Sequence, residues 1–438
     1  MQQRKIDYTG PESWPAIRDW LSGRQDPGSS VERSVQEILL AVRNEGDEAL
    51  VRYTQRFDCP GFDSSMLRVP ASSLREAKNE LPREDLRLIE EAAANIRAYH
   101  ERQRENSWLD TRENGLVLGQ LVRPVDRAGL YVPGGKSGET PLVSSLIMNA
   151  VPALVAGVGR TIAVSPPGRD GSLNPYTLAA AEILGIEEVY AVGSAWAVAA
   201  LAYGTQTVPG VDVVAGPGNI HVTTAKRLLL GRVGIDMIAG PSEVAILADG
   251  SADPAWLAAD LLSQAEHDEL ASAVLVSADD TLLEAVDSEL HQQLADLPRA
   301  EVAASALRNW GALIKVPDAE TGMELINRLA PEHFELCLQD PWSWIGSVRN
   351  AGAVFVGQQT PEPLGDYFAG PNHILPTVGT ARFSSALSVQ HFCKKSSLLA
   401  ASPSHMSDCS AKVARLARLE GLEAHARSAE KRGARKSS

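Results

Sequence analysis

Gln264 and His267 close a helix that the sequence predicts, within the five residues 263–267. Three positions apart on a helix, they share one face. Each can offer a neutral lone pair to a metal ion, one an amide oxygen and the other an imidazole nitrogen. The helix is legible from its ends and its stripe: Asp253 is an N-cap, Pro254 takes the first helical position, and Trp256, Leu257, Leu261 and Leu262 recur on one side. The apolar run 272–277 follows as a strand. The pair therefore stands at a helix C-terminus, where the macrodipole favours a cation. Alone, it describes a solvated helix end equally well.

Three distant segments add polar residues that packing does not call for. Glu332 and His333 stand side by side after the apolar helical stretch 325–329, an arrangement suited to two proton-transfer roles, because imidazole titrates near neutrality and burial raises a carboxyl. The Gly/Pro-punctuated loop 361–376 holds Asp366, Asn372 and His373, and loops of this kind on an α/β scaffold often carry function. Near the C-terminus stand Glu420 and His425. Gln264, His267, Asp366 and His425 together would form a site of two imidazoles, one carboxylate and one amide, suited to zinc, or to manganese with further oxygen ligands. The chain has no Gly-x-Gly-x-x-Gly fingerprint, but the turns 131–135 and 216–219 could each aim backbone N–H groups at a phosphate. Each also reads as an ordinary tight turn.

The elements that would hold these residues follow from periodicity. Residues 1–27 read as an N-terminal arm, and two long helical patterns cover 31–57 and 71–107. From about residue 120 strands alternate with helices: strand-like runs at 161–164, 189–192, 211–214, 244–247, 273–276 and 353–356, helical ones at 142–157, 173–185, 195–204 and 219–230. Such alternation builds βαβ units and parallel sheets, and the strands are too many for one sheet. Two α/β domains with a cleft between them are expected. The apolar-poor, helical stretch 412–432 reads as an appended arm.

With 438 residues, the chain needs more than one simple core. Its 44% hydrophobic and 22% charged composition is that of a globular protein, and a net charge of −14 argues against nucleic acid or an anionic membrane as partner. Four widely spaced cysteines (Cys59, Cys337, Cys393 and Cys409), without a Cys-x-x-Cys pair, suit a reducing compartment. The N-terminus lacks a signal-peptide core, and the most apolar stretch, 141–158, reads as a buried helix. A cytoplasmic protein is expected.

The segments 216–219, 239–244, 263–267, 331–333 and 365–373, in this order, resemble those of histidinol dehydrogenases, and the similarity runs from about residue 30 to about residue 430. The resemblance implies an α/β fold of two Rossmann-like domains with parallel-rich sheets, plus an N-terminal arm and a helical C-terminal arm. Its boundaries would be 1–27 for the arm, 28–130 with 242–387 for a discontinuous catalytic domain, 131–241 for the cofactor domain, and 388–438 for the C-terminal arm. It implies oxidation of L-histidinol to L-histidine through the aldehyde, at the end of histidine biosynthesis, with two NAD and one zinc in a homodimer whose C-terminal arms complete the partner's site. Carried over by position, Gln264, His267, Asp366 and His425 would ligate zinc, and Glu332 and His333 would be the catalytic pair. Ser144, Ser242, Gln264, His267, His333, Asp366, Glu420 and His425 would touch substrate. Tyr131, Trp196 and Asn219 would touch the cofactor. Two departures border the cofactor cleft. Trp196 stands where the family's Gly-Gly-Ala-Gln-Ala turn has glutamine, and the loop at 136–141 is longer than usual. Two alternatives stay open: a family relative oxidising another alcohol, such as a sulfonated diol, and a zinc- or ligand-binding protein without dehydrogenase activity.

Overall fold

The computed structural model describes residues 3–24, 28–135 and 141–433. The chain divides into two compact units, the first of residues 1–103 and 126–392, the second of residues 104–125 and 393–438.

Within the first unit, the described residues form two parallel sheets. The larger has six strands in the order Lys5–Asp7, Gly311–Lys315, Ser272–Ser277, Glu243–Ala248, His333–Cys337 and Ala353–Val356. Every neighbouring pair runs parallel. The three strands at its centre-right, Ser272–Ser277, Glu243–Ala248 and His333–Cys337, are buried at every position. Helices cover both faces, so apolar side chains are wanted on both. Val244, Ile246 and Leu275 pack on one side with Leu257 and Leu261 of helix Pro254–Ala265. Ala245, Leu247 and Val274 pack on the other with Met323 and Ile326 of helix Ala319–Leu329.

The second sheet has the strand order Glu188–Ala191, Arg160–Ser165, Arg127–Tyr131, Val213–Ala215, Gly234–Ile235, again all parallel. Chain order reverses between Arg127–Tyr131 and Val213–Ala215. That reversal opens a crevice at the carboxyl ends of these two strands, the usual ligand position in open α/β sheets.

The two long helical patterns each break once. Gly46, at φ 63°, separates Gly28–Glu45 from Asp47–Phe57. Pro82 cannot continue the preceding turn and separates Ala71–Glu80 from Arg83–Glu101. Three strands of the larger sheet give no clear sequence signal, the first being Lys5–Asp7, only three residues long within the stretch read as an arm. Gly311–Lys315 is short, and His333–Cys337 carries His333 and Glu335, polar residues that disguise a central strand.

The second unit is an antiparallel sheet of Trp108–Thr111, Leu116–Pro124 and Cys393–Ala401, followed by the helical hairpin Pro403–Leu419 and Glu423–Gly433. The strand Cys393–Ala401 precedes the expected helices; its Lys394–Ser397 stretch lacks apolar alternation and hides it. Among the described residues no helix is long and apolar enough to cross a membrane.

Candidate active site

The helix ending in the first candidate pair forms as its sequence dictates: Asp253 accepts the N–H of Ala255 at 2.8 Å, and Pro254 opens the helix. It ends at Ala265, so Gln264 lies in the last turn and His267 just beyond, its N–H donating to the Gln264 carbonyl at 3.2 Å. In a parallel βαβ arrangement a helix C-terminus lies beside the amino ends of the strands. That is where His333 sits, as the first residue of its strand. Glu332 and His333 are therefore in the mouth of the larger sheet, 6% and 3% exposed, and not in a surface loop.

His333 Nδ1 is 3.0 Å from the Glu243 carbonyl oxygen and 3.0 Å from Gln264 Oε1. A carbonyl only accepts, so Nδ1 carries the hydrogen and Nε2 is the nitrogen free to exchange a proton. Nε2 has no hydrogen-bond partner and points toward two carboxylates, Asp366 at 3.6 Å and Glu362 at 3.8 Å. Glu332 accepts the Glu243 N–H at 2.9 Å. One peptide residue thus holds both members of the pair.

The short helix Glu362–Tyr367 brings Glu362 and Asp366 to the same rim, four residues apart and on one face. Glu362 is anchored by its own N–H, which donates to Glu335 at 3.0 Å, and by the Ser263 hydroxyl, which donates to its carboxylate at 3.2 Å. His373 Nδ1 caps the Asp366 carbonyl at 2.9 Å. His267, Glu362 and Asp366 each place a ligating atom within 4.8 Å of the others. With Gln264 alongside, this is a set of hard oxygens and borderline nitrogens that suits a divalent ion such as zinc.

Burial and crowded charge set the proton affinities. Burial lifts Glu332 to about 7, opposed by the neighbouring His333. Burial disfavours the charged imidazole of His333, but Glu332, Asp366 and Glu362 outweigh it and raise the group to about 10. Burial and the charge of Asp366 raise Glu362 to about 8. Asp366 stays ionised at about 2, because His333 and His373 more than offset its burial. His267 still meets solvent at the rim, yet desolvation by the site walls lowers its pKa and favours the neutral form a metal requires. The carboxylates around His333 hold its proton in place; a cation bound among them would weaken that hold and free Nε2 to act as a base.

The remaining expected residues lie as follows. Ser242 precedes strand Glu243–Ala248, and its carbonyl accepts the Ser272 N–H at 3.0 Å. Ser144 is in the first turn of helix Val143–Ala156. Tyr131 ends one strand at the crevice of the five-stranded sheet, with its hydroxyl accepting the Ser194 N–H at 3.1 Å. Asn219 caps helix Ile220–Leu229, accepting from His221 and Val222 at 3.0 and 3.2 Å. Trp196 is 4% exposed and turned toward helix Asp47–Phe57, where Tyr53 and Phe57 stack on it at 5.7 and 5.6 Å and Thr54 accepts its Nε1–H at 3.2 Å. Its indole presents no face to an incoming ring. The lengthened loop, over residues 136–140, lies outside the described residues. Glu420 and His425 belong to the second unit, the first closing helix Pro403–Leu419 and the second exposed on helix Glu423–Gly433. The first unit by itself brings together Gln264, His267, Asp366, Glu332 and His333.

Three residues at this site carry no role in the sequence reading. Glu362 sits between two prolines in the same loop as Asp366, and its four-residue spacing from that aspartate was a usable signal. Glu243 lies within the 239–244 segment, but its backbone does the work and backbones leave no mark on a sequence. Arg24, far away in the chain, gives no signal at all.

A family model described as histidinol dehydrogenase matches residues 22–433. A histidinol dehydrogenase of Oleidesulfovibrio alaskensis is 61% identical over 432 residues, covering 99% of this chain and 100% of that one. One from Nitratidesulfovibrio vulgaris is 59% identical and covers 99% of each. The crystal structure of histidinol dehydrogenase from Elizabethkingia anophelis superposes with a TM-score of 0.91 at 32% identity, over 98% of each chain.

Proposed function

The chain belongs to the histidinol dehydrogenase family and is an oxidoreductase, and from that premise we propose that it oxidises L-histidinol to L-histidine through the aldehyde with two NAD and one zinc ion. The observation that carries this reading is the buried Glu332–His333 pair set against the His267, Glu362 and Asp366 cluster. When bound, zinc would hold the substrate's amine and imidazole as a template, and NAD would take up hydride. Gln264, His267 and Asp366 are the ligands this unit would supply, with His425 of a second copy as the fourth. Glu362 stands close enough to tune them.

The chain's own residues then divide the proton work. His333 Nε2 removes the hydroxyl proton as hydride leaves the carbinol carbon, giving the aldehyde. Glu332, poised near neutrality by burial, takes a proton from water as its oxygen attacks the aldehyde carbon, while His333 returns its proton to the aldehyde oxygen, giving the hydrate and restoring the neutral imidazole. His333 then removes a hydroxyl proton from the hydrate as the second hydride leaves, giving the acid. Two hydrides and one water balance the four-electron change. Ser144, Ser242 and Glu420 would hold the substrate's polar ends.

For the dinucleotide, we place the pyrophosphate at the crevice between Tyr131 and Gly216, with Tyr131 and Asn219 touching it. Support comes from the strand reversal there and from the N-terminus of helix Ile220–Leu229. Trp196 is buried against Tyr53 and Phe57, and in that orientation it gives no support to an inactive binding protein. Leu399, Leu416 and Leu419 of the second unit are 74%, 64% and 67% exposed, an apolar surface that supports pairing with a second copy through this unit. Free Cys59, Cys337, Cys393 and Cys409 fit the cytoplasm.

The test is purified protein with zinc, L-histidinol and NAD, followed by NADH absorbance. About two NADH per histidinol, lost on chelation and restored by zinc, are expected. Tight zinc binding with no turnover would overturn the reading.

A further inference from the structure

The catalytic pair is held by the backbone of Glu243, and Glu243 is itself held by a residue from the other end of the chain. Arg24 is 5% exposed, and each nitrogen of its guanidinium donates a hydrogen bond. Nη1 donates to Glu243 Oε1 at 2.7 Å, Nη2 to the Pro241 and Ser242 carbonyls at 3.2 and 3.0 Å, and Nε to the Leu270 carbonyl at 2.8 Å. The other Glu243 oxygen accepts the Val378 N–H at 3.0 Å. The ion pair is buried, with side-chain exposures of 0% and 11%. A planar, always-charged fork that meets three carbonyls and a carboxylate fixes orientation as well as distance.

What it fixes is one peptide residue. The Glu243 N–H donates to Glu332 at 2.9 Å, and the Glu243 carbonyl accepts from His333 Nδ1 at 3.0 Å. The first bond aims the carboxylate. The second selects the tautomer that leaves Nε2 free toward Asp366. A shift of this segment would move both groups at once, and the geometry of a general base is sensitive at the level of an ångström.

We propose that Arg24, acting through Glu243, is a positioning residue for the Glu332–His333 pair. This rests on the dehydrogenase reading above. Arg24 touches neither substrate nor ion; it sets where the peptide of Glu243 lies, and through that peptide sets both proton-transfer groups.

The experiment compares wild type, Arg24→Lys, Arg24→Met and Glu243→Gln, all zinc-loaded, using L-histidinol and, separately, L-histidinal. For Arg24→Met, kcat is expected to fall about a hundredfold with either substrate. KM for NAD and the zinc content should stay within about twofold, since Arg24 touches none of their proposed contacts, whereas KM for L-histidinol can rise modestly through Ser242, whose carbonyl Arg24 also holds. Arg24→Lys keeps the charge but not the fork, so an intermediate kcat is expected, and Glu243→Gln should resemble Arg24→Met. Thermal unfolding is measured in parallel, with assays run at least 15 °C below each midpoint (on the order of the Tm shift that a few kcal/mol produces). A lowered midpoint with wild-type kcat overturns the proposal, because Arg24 would then serve only the fold. So does a loss confined to KM or to zinc content. Failure of the dehydrogenase reading looks different: the wild type itself would turn over neither substrate.

Discussion

The two parallel sheets of the first unit offer opposite ends to chemistry. The proposed catalytic pair lies at the amino ends of the six-stranded sheet's strands, beside the C-terminus of helix Pro254–Ala265; the proposed dinucleotide crevice lies at the carboxyl ends of the five-stranded sheet, beside the N-terminus of helix Ile220–Leu229. Helix dipoles give the first mouth a negative potential and the second a positive one. Buried carboxylates deepen the first: Glu332, Glu362 and Asp366 surround His333, and among the described residues none of the three forms an ion pair with a lysine or arginine. The second mouth carries its charge differently. Lys226 and Asp236 pair behind the crevice, with side chains 3% and 0% exposed. Lys226 donates to the Gly216 carbonyl at 3.0 Å, and Asp236 accepts the Gly216 N–H at 2.8 Å. Gly216 itself stands at φ 124°, and a Cβ there would collide with the Tyr131 carbonyl. Unpaired carboxylates crowd the mouth where the proposed function has a cation bind and a proton come and go. Balanced charge is used where a backbone only has to stay in place.

Four substitutions break or sharpen this contrast. The largest effect belongs to the unbalanced mouth. Glu332→Gln should lower kcat for L-histidinol to L-histidine by about a thousandfold while leaving the protein folded, since it removes a base and not a structural partner. Stopped-flow at NADH absorbance should show the first hydride transfer better preserved than the second.

The balanced mouth should respond in the opposite sense. Lys226→Met strands a buried aspartate and should destabilise the protein by about 4 kcal/mol. The double variant Lys226→Met with Asp236→Leu should recover most of that loss, because replacing both buried partners with apolar side chains is often neutral. Denaturant unfolding measures both. If the single and the double variants are equally unstable, the pair is not the balanced clamp described.

Next in size is Trp196→Gln. It empties a stacked, buried site and should cost about 3 kcal/mol in chemical denaturation. KM for NAD should not change, whereas a lowered KM would mean the indole reaches the crevice after all.

The smallest effect concerns Asp58, a half-buried carboxylate near Tyr131 whose Oδ2 has no partner. Burial raises it from 3.8 to about 6. The folded state therefore holds this proton more tightly than the unfolded state, and stability falls as pH rises from about 4 to about 6. Asp58→Asn should raise the unfolding free energy at pH 8, by about 1 kcal/mol after allowance for solvent screening, and leave it nearly unchanged at pH 4, as read by denaturant unfolding.

The legible parts of the sequence were those with a local cause. Capping by Asp253 and Pro254 and the apolar runs of the strands are written in neighbouring residues, and so the helix before Gln264, half the strands of the larger sheet and three of the five strands of the smaller could be read. Glu332 and His333 were legible as chemistry but not as structure, because polar residues at the start of a central strand erase its apolar signature. Trp196 showed the converse difficulty. Its identity was plain, but the face it turns depends on Tyr53 and Phe57, which lie some 140 positions away. Glu243 and Arg24 act through a peptide group and across 219 positions, and no window of sequence spans that.

The edge strand Lys5–Asp7 pairs with Leu313–Lys315 and completes the larger sheet. On the ribosome the first of these segments emerges some three hundred residues before the second, so the chain's opening residues must wait, unpaired, through most of synthesis. Closing such a long-range parallel contact is intrinsically slow. Nascent chains halted before residue 311 should therefore leave the Lys5–Asp7 segment open to a protease that full-length protein resists, and the larger sheet gains this edge only once residue 315 has been made.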